Sequence, residues 1–386
     1  MQIMEKNHTL LIDNGTISSD DISSAFNNSN VIVIKAAQSQ HLAVDLQNDE
    51  LKKLSSGTKK FVLLTLGSTG TPKGVVLTIE KLMQSAKLFS QWSQITPASR
   101  LLCLAPISSM SGLRAHYGIA LLTKCHLINP DSDASIFSLL TLIENQHVTH
   151  IIAGPPFIKQ LAMLLSRINP QSLSSLQYIL CTGANIDNVA VSKIYQTLKV
   201  KTLNYYGLTE SYGFCIAVKP DDFNCDDTAI GKAVSGVRLE IIKPDKNNIG
   251  SLRIHSRRLF DQYLGQEKHD KTFLDTGDFA RIDNAGNVYL HGRVDNALKL
   301  SSTELIYPIK LEEMLSSALT GNQVIIYALP SGYGAWIESP LSLLDVTQSL
   351  KSALPGKYIP NEIKVVADLS LSPLGKIKAI NEEANV

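Results

Sequence analysis

Between Thr65 and Gly74 the chain reads Thr-Leu-Gly-Ser-Thr-Gly-Thr-Pro-Lys-Gly, a concentration of groups suited to an oxyanion. Gly67, Gly70 and Gly74 allow the backbone to approach a ligand closely with its N–H groups turned inward. The hydroxyls of Thr65, Ser68, Thr69 and Thr71 add donors, and Lys73 adds a point charge. Together they suit a polyphosphate. The spacing departs from GxxxxGK[ST], because Lys73 is followed by Gly74. Taken alone, the run reads equally as a flexible surface loop. Tyr206 offers an aromatic face to a planar ring, Glu210 a hard oxygen donor, and Asp278 a carboxylate just after a Thr-Gly turn. Each has an ordinary alternative in core packing, a helix N-terminus or a turn. Cys103, Cys125, Cys181, Cys215 and Cys225 are scattered and never spaced CxxC, so neither a disulfide framework nor a zinc site is expected. The histidines show neither HxxxH nor HxH spacing, and no cysteine shares a local motif with His and Asp or Asn.

These side chains need a scaffold. The 386 residues are enough for two or three domains at about 150 residues each. Lys plus Arg is 36 and Asp plus Glu is 35, for a net charge of +1, which argues against a partner bound by bulk phosphate neutralisation such as nucleic acid. Residues 1–14 lack a basic stretch followed by an apolar core, and no run of about 18 apolar residues occurs. No signal peptide and no membrane span are expected, and the cysteine usage points to a cytoplasmic protein. Short apolar runs at 31–34, 61–66, 101–105, 126–128, 148–152, 178–181 and 201–204 read as strands. Helices are expected at 79–94, 136–146, 156–167 and 188–198, the first capped by Thr78 and the third opened by Pro155-Pro156. Such alternation favours a mixed or parallel sheet covered by helices. From Val237 strands and turns take over, with Asn284-Ala285-Gly286 at a hairpin tip. After Asp295 a small α+β unit is expected: helix 308–319, strand 324–328, helix 344–354 and strand 363–366. The boundary falls at 292–296.

Residues 65–74 also match TSGSTGxPKG, except at Leu66, and five further matches follow in order: Thr182-Gly183-Ala184, Tyr206-Gly207-Leu208-Thr209-Glu210, Thr276-Gly277-Asp278, Gly292-Arg293-Val294-Asp295 and Ser372-Pro373-Leu374-Gly375-Lys376. On these motifs the sequence resembles the adenylate-forming superfamily of acyl- and aryl-CoA synthetases, peptide-synthetase adenylation domains and luciferases. The resemblance implies an α/β protein, with a large layered N-terminal domain over residues 1–294, a mobile α+β lid over 296–386, and a hinge near Asp295. It implies ATP or AMP contacts from Thr65, Gly67, Ser68, Thr69, Gly70, Thr71, Lys73, Gly183, Ala184, Tyr206, Gly207, Asp278 and Arg293. Thr209 would touch the α-phosphate, Glu210 would hold the Mg2+ carried with ATP, and Asp278 would bind the ribose hydroxyls. Lys376 would neutralise charge on the α-phosphate as a carboxylate attacks it.

Four departures qualify that resemblance. The glycine-rich loop begins at residue 65, whereas relatives carry a longer region upstream, so a shortened N-terminal region and a compensating homodimer are expected. The PxxH element is Pro106-Ile107-Ser108-Ser109, the Gly-Tyr pair before TGD is Gln262-Tyr263, and KxxG is Lys299-Leu300-Ser301-Ser302. The last change removes a glycine from the pantetheine path and weakens the thioester reading. No aspartate lies in 106–114 to hold an α-ammonium group, so an aryl or aliphatic acid is preferred to an amino acid. Met110, Gly112, Gly154, Phe157, Tyr205, with Pro155 and Gly183, are the candidate acid pocket by position. Arg114 could pair with a second carboxylate, but the surface is its expected place. The expected reaction is ATP-dependent formation of an acyl-AMP with release of pyrophosphate. The acyl group then passes to a thiol on CoA or on a carrier protein's phosphopantetheine. Adenylation alone, or a nucleotide-binding module that has lost turnover, are the alternatives.

Overall fold

The computed structural model describes residues 2–5, 8–13, 17–36, 54, 58–66, 72–131, 134–183, 186–293, 298–299, 305–306, 308–320, 322–329, 332–367 and 369. The fold is mixed α/β, in two compact units. Among the described residues, one contains the chain through Arg238 and Ile254–Leu274; the other contains Leu239–Arg253 and the chain from Asp275. The expected hinge at Asp295 lies outside the described residues.

Two sheets build the first unit. In the larger, Lys201–Tyr206, Tyr178–Cys181, His150–Ala153, Arg100–Cys103 and His126–Ile128 lie side by side and parallel, extended past Lys201–Tyr206 by the antiparallel pair Ile216–Ala217 and Lys232–Ala233. Every residue of His150–Ala153 is buried, as expected for a parallel strand covered on both faces. Alternation sorts the side chains. Leu102, Ile151 and Ile179 join the core under helices Ile136–Asn145, Pro155–Leu164 and Asn188–Leu198, while Leu101, Ile152, Leu180 and Leu203 face the opposite cluster with Ala86 and Phe89.

The second sheet runs in the order Gln2–Glu5, His8–Asp13, Val31–Ala36, Lys60–Leu66, Pro72–Thr78 and Gln262–Tyr263. Helix Ile79–Ser93 serves both sheets, with Leu82 in the core of this one and Ala86 and Phe89 in the core of the other. Thr78 caps it as the sequence suggests, its hydroxyl accepting from the Lys81 N–H at 3.4 Å. The strands and helices expected between residues 31 and 206 are all present, and Pro155 does begin its helix. Strands Gln2–Glu5, His8–Asp13 and Pro72–Thr78, and the helical stretch 110–123, were not anticipated.

Strands Val237–Ile242, Gly250–Ser256, Phe273–Ile282 and Val288–Arg293 form a separate four-stranded sheet. The hairpin tip falls where expected, with the Asp283 carboxylate accepting from the N–H groups of Ala285 and Asn287 at 2.9 and 2.8 Å. The small α+β part follows the expected order, with helices Pro308–Ala318 and Leu343–Ala353 and strands Val324–Leu329 and Glu362–Val366. Gly332–Glu338 joins those two strands as an unforeseen central strand, antiparallel to the first and parallel to the second. Leu311, Leu315, Val346 and Leu350 pack on Ala335 and Ile337. Among the described residues no helix is long and apolar enough to cross a membrane.

Candidate active site

Strand Lys60–Leu66 runs antiparallel to Pro72–Thr78 with Thr65 opposite Lys73, so the two ends of the glycine-rich run are placed together. Gly67, Ser68, Thr69, Gly70 and Thr71 lie outside the described residues. The Thr65 hydroxyl donates to the Lys73 carbonyl at 3.4 Å, and the Lys73 side chain is exposed. On the other side of Pro72–Thr78 pairs Gln262–Tyr263, which opposes Tyr263 to Val75 and fixes the Leu264 N–H on the Gly74 carbonyl at 2.7 Å. Gly74 keeps the packing there close: a Cβ would stand 3.0 Å from that of Leu264 and 3.2 Å from Val62 Cγ1, so those side chains would have to give. The register lays the Tyr263 ring 5.5 Å beneath Lys73 Nζ and lets its hydroxyl donate to Glu210 Oε1 at 3.0 Å. Burial first, and then the Glu210 carboxylate, raise the Tyr263 phenol well above its usual range, which keeps it a donor. A cation, a ring and a carboxylate thus stand in line on the two strands and the turn that carries Glu210.

That turn begins where Lys201–Tyr206 ends. The Tyr206 carbonyl accepts from Cys215 N–H at 2.8 Å, and residues 207–213 fold back tightly. A Cβ on Gly207 would lie 2.3 Å from the Gly213 carbonyl carbon and 2.4 Å from Phe214 N, so only glycine closes it. Thr209–Ser211 forms one short helical turn, and Tyr212 then adopts φ 57°. Three partners fasten Tyr212: its carbonyl accepts from Ser85 Oγ at 2.9 Å and Arg114 Nη1 at 3.0 Å, and its hydroxyl accepts from Thr78 N–H at 2.8 Å. The Glu210 carbonyl accepts from Phe260 N–H at 2.8 Å. Thr209 and Glu210 are therefore half-buried side chains on a rigid backbone.

Gly154, Gly183 and Tyr206 lie at the carboxyl ends of three adjacent parallel strands, the edge where open α/β sheets hold ligands. Gly183 takes φ 109° and is exposed; Ala184 lies outside the described residues. Met110 and Gly112 are on the buried helix Met110–Leu113, and a Cβ at Gly112 would meet the Pro106 carbonyl oxygen at 2.0 Å. Tyr205 is buried and donates to Ser111 Oγ at 3.2 Å. Phe157 packs into the cluster on the opposite face of the sheet from Tyr205, so these two candidate pocket residues are not brought together. Arg114 is a correction. It is 0% exposed, not on the surface, because it opens a wide-wound π-helical segment, Arg114–Ile119, that points it inward among Phe89, Tyr205 and Phe214.

In the second unit Asp278 and Arg293 are opposite each other on paired strands, and Arg293 Nη1 reaches Asp278 Oδ1 at 3.2 Å and the Thr276 carbonyl at 3.0 Å. Gly277, at φ 74°, leaves the guanidinium room: a Cβ there would stand 2.7 Å from Arg293 Nη2. Asp278 is largely buried and Arg293 half-exposed. Lys376, Asp295 and residues 300–303 lie outside the described residues. No group of three or more His, Cys, Asp or Glu side chains among the described residues could hold a metal ion. Glu210 carries a hard oxygen donor of the kind that suits magnesium, and its Oε1 accepts from Tyr263. Sequence reasoning names Tyr263 only as half of the altered Gly-Tyr pair and does not single out Tyr212; the roles of both rest on contacts to residues far away in the chain.

A family model described as AMP-binding enzyme matches residues 6–264. The chain is similar to tyrocidine synthase 3 of Brevibacillus parabrevis, 24% identical over 351 residues that cover 82% of this chain and 5% of that one. It is similar, too, to indoleacetate–CoA ligase of Aromatoleum aromaticum, 24% identical over 343 residues covering 83% of this chain and 66% of the relative. Among solved structures it resembles O-succinylbenzoate coenzyme A synthetase from Bacillus subtilis in complex with ATP and magnesium ion. That likeness has a TM-score of 0.71 and 19% identity, over 95% of this chain and 82% of the other. The chain thus spans less than two thirds of the length of these two sequence relatives.

Proposed function

This chain belongs to the AMP-binding enzyme family, and from that premise we propose that it joins a carboxylic acid to AMP and then passes the acyl group to a thiol. The observation that carries this reading is the convergence of Lys73, Tyr263 and Glu210 beside the Thr209 turn, all in one unit. Lys73 and the glycine-rich run would hold the β- and γ-phosphates of ATP, while Glu210 would hold the magnesium that screens their charge. Tyr206 would stack on adenine, with Gly183, Gly207 and Ala184 leaving the backbone close enough to follow its edge. Asp278 would accept from the ribose hydroxyls. The Arg293 pair supports that role, because it orients the carboxylate. As the acid's carboxylate oxygen attacks the α-phosphorus, pyrophosphate leaves on the opposite side. Negative charge on the equatorial oxygens would be met by the Thr209 hydroxyl and by Lys376, whose contribution is electrostatic.

The acid is an aryl or aliphatic carboxylate, and the acceptor is CoA or a carrier-bound phosphopantetheine. Names of relatives as CoA ligases favour a thioester product. Isotope exchange between pyrophosphate and ATP, run across aryl, short-chain and long-chain acids, tests the first half-reaction. Acid-dependent exchange that falls at least ~100-fold in Lys376→Ala is expected. Exchange that needs no acid, or that is indifferent to Lys376, would overturn the assignment.

A further inference from the structure

Arg114 is a fully buried cation with most of its hydrogen-bonding capacity unused. Nη1 donates to the Tyr212 carbonyl at 3.0 Å, whereas Nε and Nη2 are buried without any partner. The ionisable groups that face it are the Tyr205 phenol, whose oxygen is also within hydrogen-bonding reach of the guanidinium, and the Cys103 and Cys215 thiols. Burial pushes these up to about 12, 12 and 11, so all three stay neutral and none serves as a counter-ion. Its walls are the rings of Phe89, Tyr205 and Phe214, with centroids 4.2, 5.3 and 5.9 Å from the guanidinium carbon. Ring faces recover part of the desolvation penalty of a buried cation, but they do not satisfy N–H donors. As a clamp on Tyr212 alone, Arg114 leaves two donors of its fork idle, which a folded interior ordinarily avoids.

The surroundings say what those donors would take. Arg114 directly follows the helix that bears Met110, Ser111 and Gly112, and Ser111 accepts from Tyr205. A Cβ on Gly213 would stand 2.8 Å from Met110 Cγ and 2.9 Å from Arg114 Nη1, so the thioether, the guanidinium and the end of the Thr209–Glu210 turn meet at one point. Met110 is unbranched and re-packs easily, and Arg114 begins a π-helical segment, a local departure common where a helix must adjust. An anionic group that displaces Met110 would find Nε and Nη2 presented side by side, the edge of arginine that pairs with a carboxylate. We propose that Arg114 recognises a second carboxylate on the substrate, which makes the enzyme selective for diacids: one carboxylate is activated at the Thr209 turn while the other pairs with Nε and Nη2. This inference rests on the adenylation reading above and names the substrate class for it.

The test compares diacids with their monomethyl esters, in aliphatic and aromatic pairs, by pyrophosphate exchange. It adds thermal stabilisation in the presence of a non-hydrolysable ATP analogue. In the wild type the diacid should exceed its ester at least ~100-fold in kcat/KM, because the ester leaves the buried guanidinium unpaired. In Arg114→Met that ratio should fall below ~5-fold, and Arg114→Lys should lie between, since a point charge lacks the fork. The ratio is taken within each protein, so a general loss of activity cancels. A wild-type ratio near one, or a ratio unchanged in Arg114→Met, overturns the proposal. Should Arg114→Met not fold, equal thermal shifts from diacid and ester on the wild type overturn it as well. Exchange indifferent to the second carboxylate would remove Arg114 from specificity and leave adenylation standing. Diacid-specific stabilisation without exchange would do the reverse.

Discussion

Replacing Gly207 by alanine perturbs the turn that holds Thr209 and Glu210 without touching either side chain. The added Cβ would lie 2.3 Å from the Gly213 carbonyl carbon, 2.4 Å from Phe214 N and 2.8 Å from Gly213 Cα, all backbone atoms with no rotamer by which to escape. Ordinary contact begins near 3.4 Å, so the two limbs of the turn must part by about 1 Å. They are held by the Cys215 N–H on the Tyr206 carbonyl and the Gly213 N–H on the Leu208 carbonyl, both at 2.8 Å. Losing those two bonds at about 1 kcal/mol each, plus overpacking strain of about 1–3 kcal/mol, predicts destabilisation by roughly 3–5 kcal/mol. Equilibrium urea unfolding would measure it, with Gly356→Ala as the control, because a Cβ there meets nothing within 4 Å and should shift stability by less than about 0.5 kcal/mol. Where the variant stays folded, acid-dependent pyrophosphate exchange should fall ~10- to 1000-fold through displacement of the Thr209 hydroxyl. Equal unfolding midpoints for the two variants would refute the close-packed turn. A destabilised variant with undiminished exchange would refute its role in placing Thr209.

Tyr263→Phe removes the donor on Glu210 Oε1 and leaves the ring under Lys73. Loss of a hydrogen bond to a charged group, about 1.5–3 kcal/mol, predicts a ~10- to 100-fold rise in the magnesium concentration needed for half-maximal exchange. An unchanged magnesium titration would sever Tyr263 from Glu210's function. In the second unit, burial pushes the Glu312 carboxyl up from 4.5 to about 7, against the opposing pull of its hydrogen bond from the Ile326 N–H at 3.0 Å. The folded state therefore holds the proton more tightly than the unfolded one. Stability from this group is full below about 4.5 and is lost as pH rises through about 7, an effect of up to about 3 kcal/mol. Glu312→Gln, which keeps the acceptor, should flatten that slope and be the more stable protein at pH 8; unfolding curves at pH 5 and pH 8 that run parallel for both proteins would count against it.

The parallel strands were readable because their buried stretches are covered on both faces and so appear as unbroken apolar runs, as at 151–153 and 31–34. Helix Ile79–Ser93 announced itself through its cap, Thr78, and Asn188–Leu198 through its apolar periodicity, while its cap, Asp187, is seen only in the structure. Where local signals disagreed with the fold, the reason is a tertiary contact. Residues 110–123 look unlike a helix because they contain Gly112 and Gly118, yet both glycines answer to neighbours. Gly112 lies against the Pro106 carbonyl, and a Cβ on Gly118 would stand 2.6 Å from the Ala86 Cβ, so the glycine permits the helix to approach Ile79–Ser93. Pro72–Thr78 was hidden behind Thr-Pro-Lys-Gly, which reads as turn chemistry until the antiparallel partner on each side is known. The site divides along the same line. Motif residues such as Glu210, Asp278 and Arg293 declare themselves by type and order, whereas Tyr212, Tyr263 and Arg114 act through partners dozens of residues away. Only register puts Tyr263 under Lys73, and only a π-helical turn carries Arg114 inward. Its standing as the one Lys, Arg, Asp or Glu between residues 101 and 123 was the sequence signal for Arg114. It became informative when burial without a counter-ion was added to it, since an arginine kept dry at such cost is a stronger pointer to a ligand than any spacing in its neighbourhood.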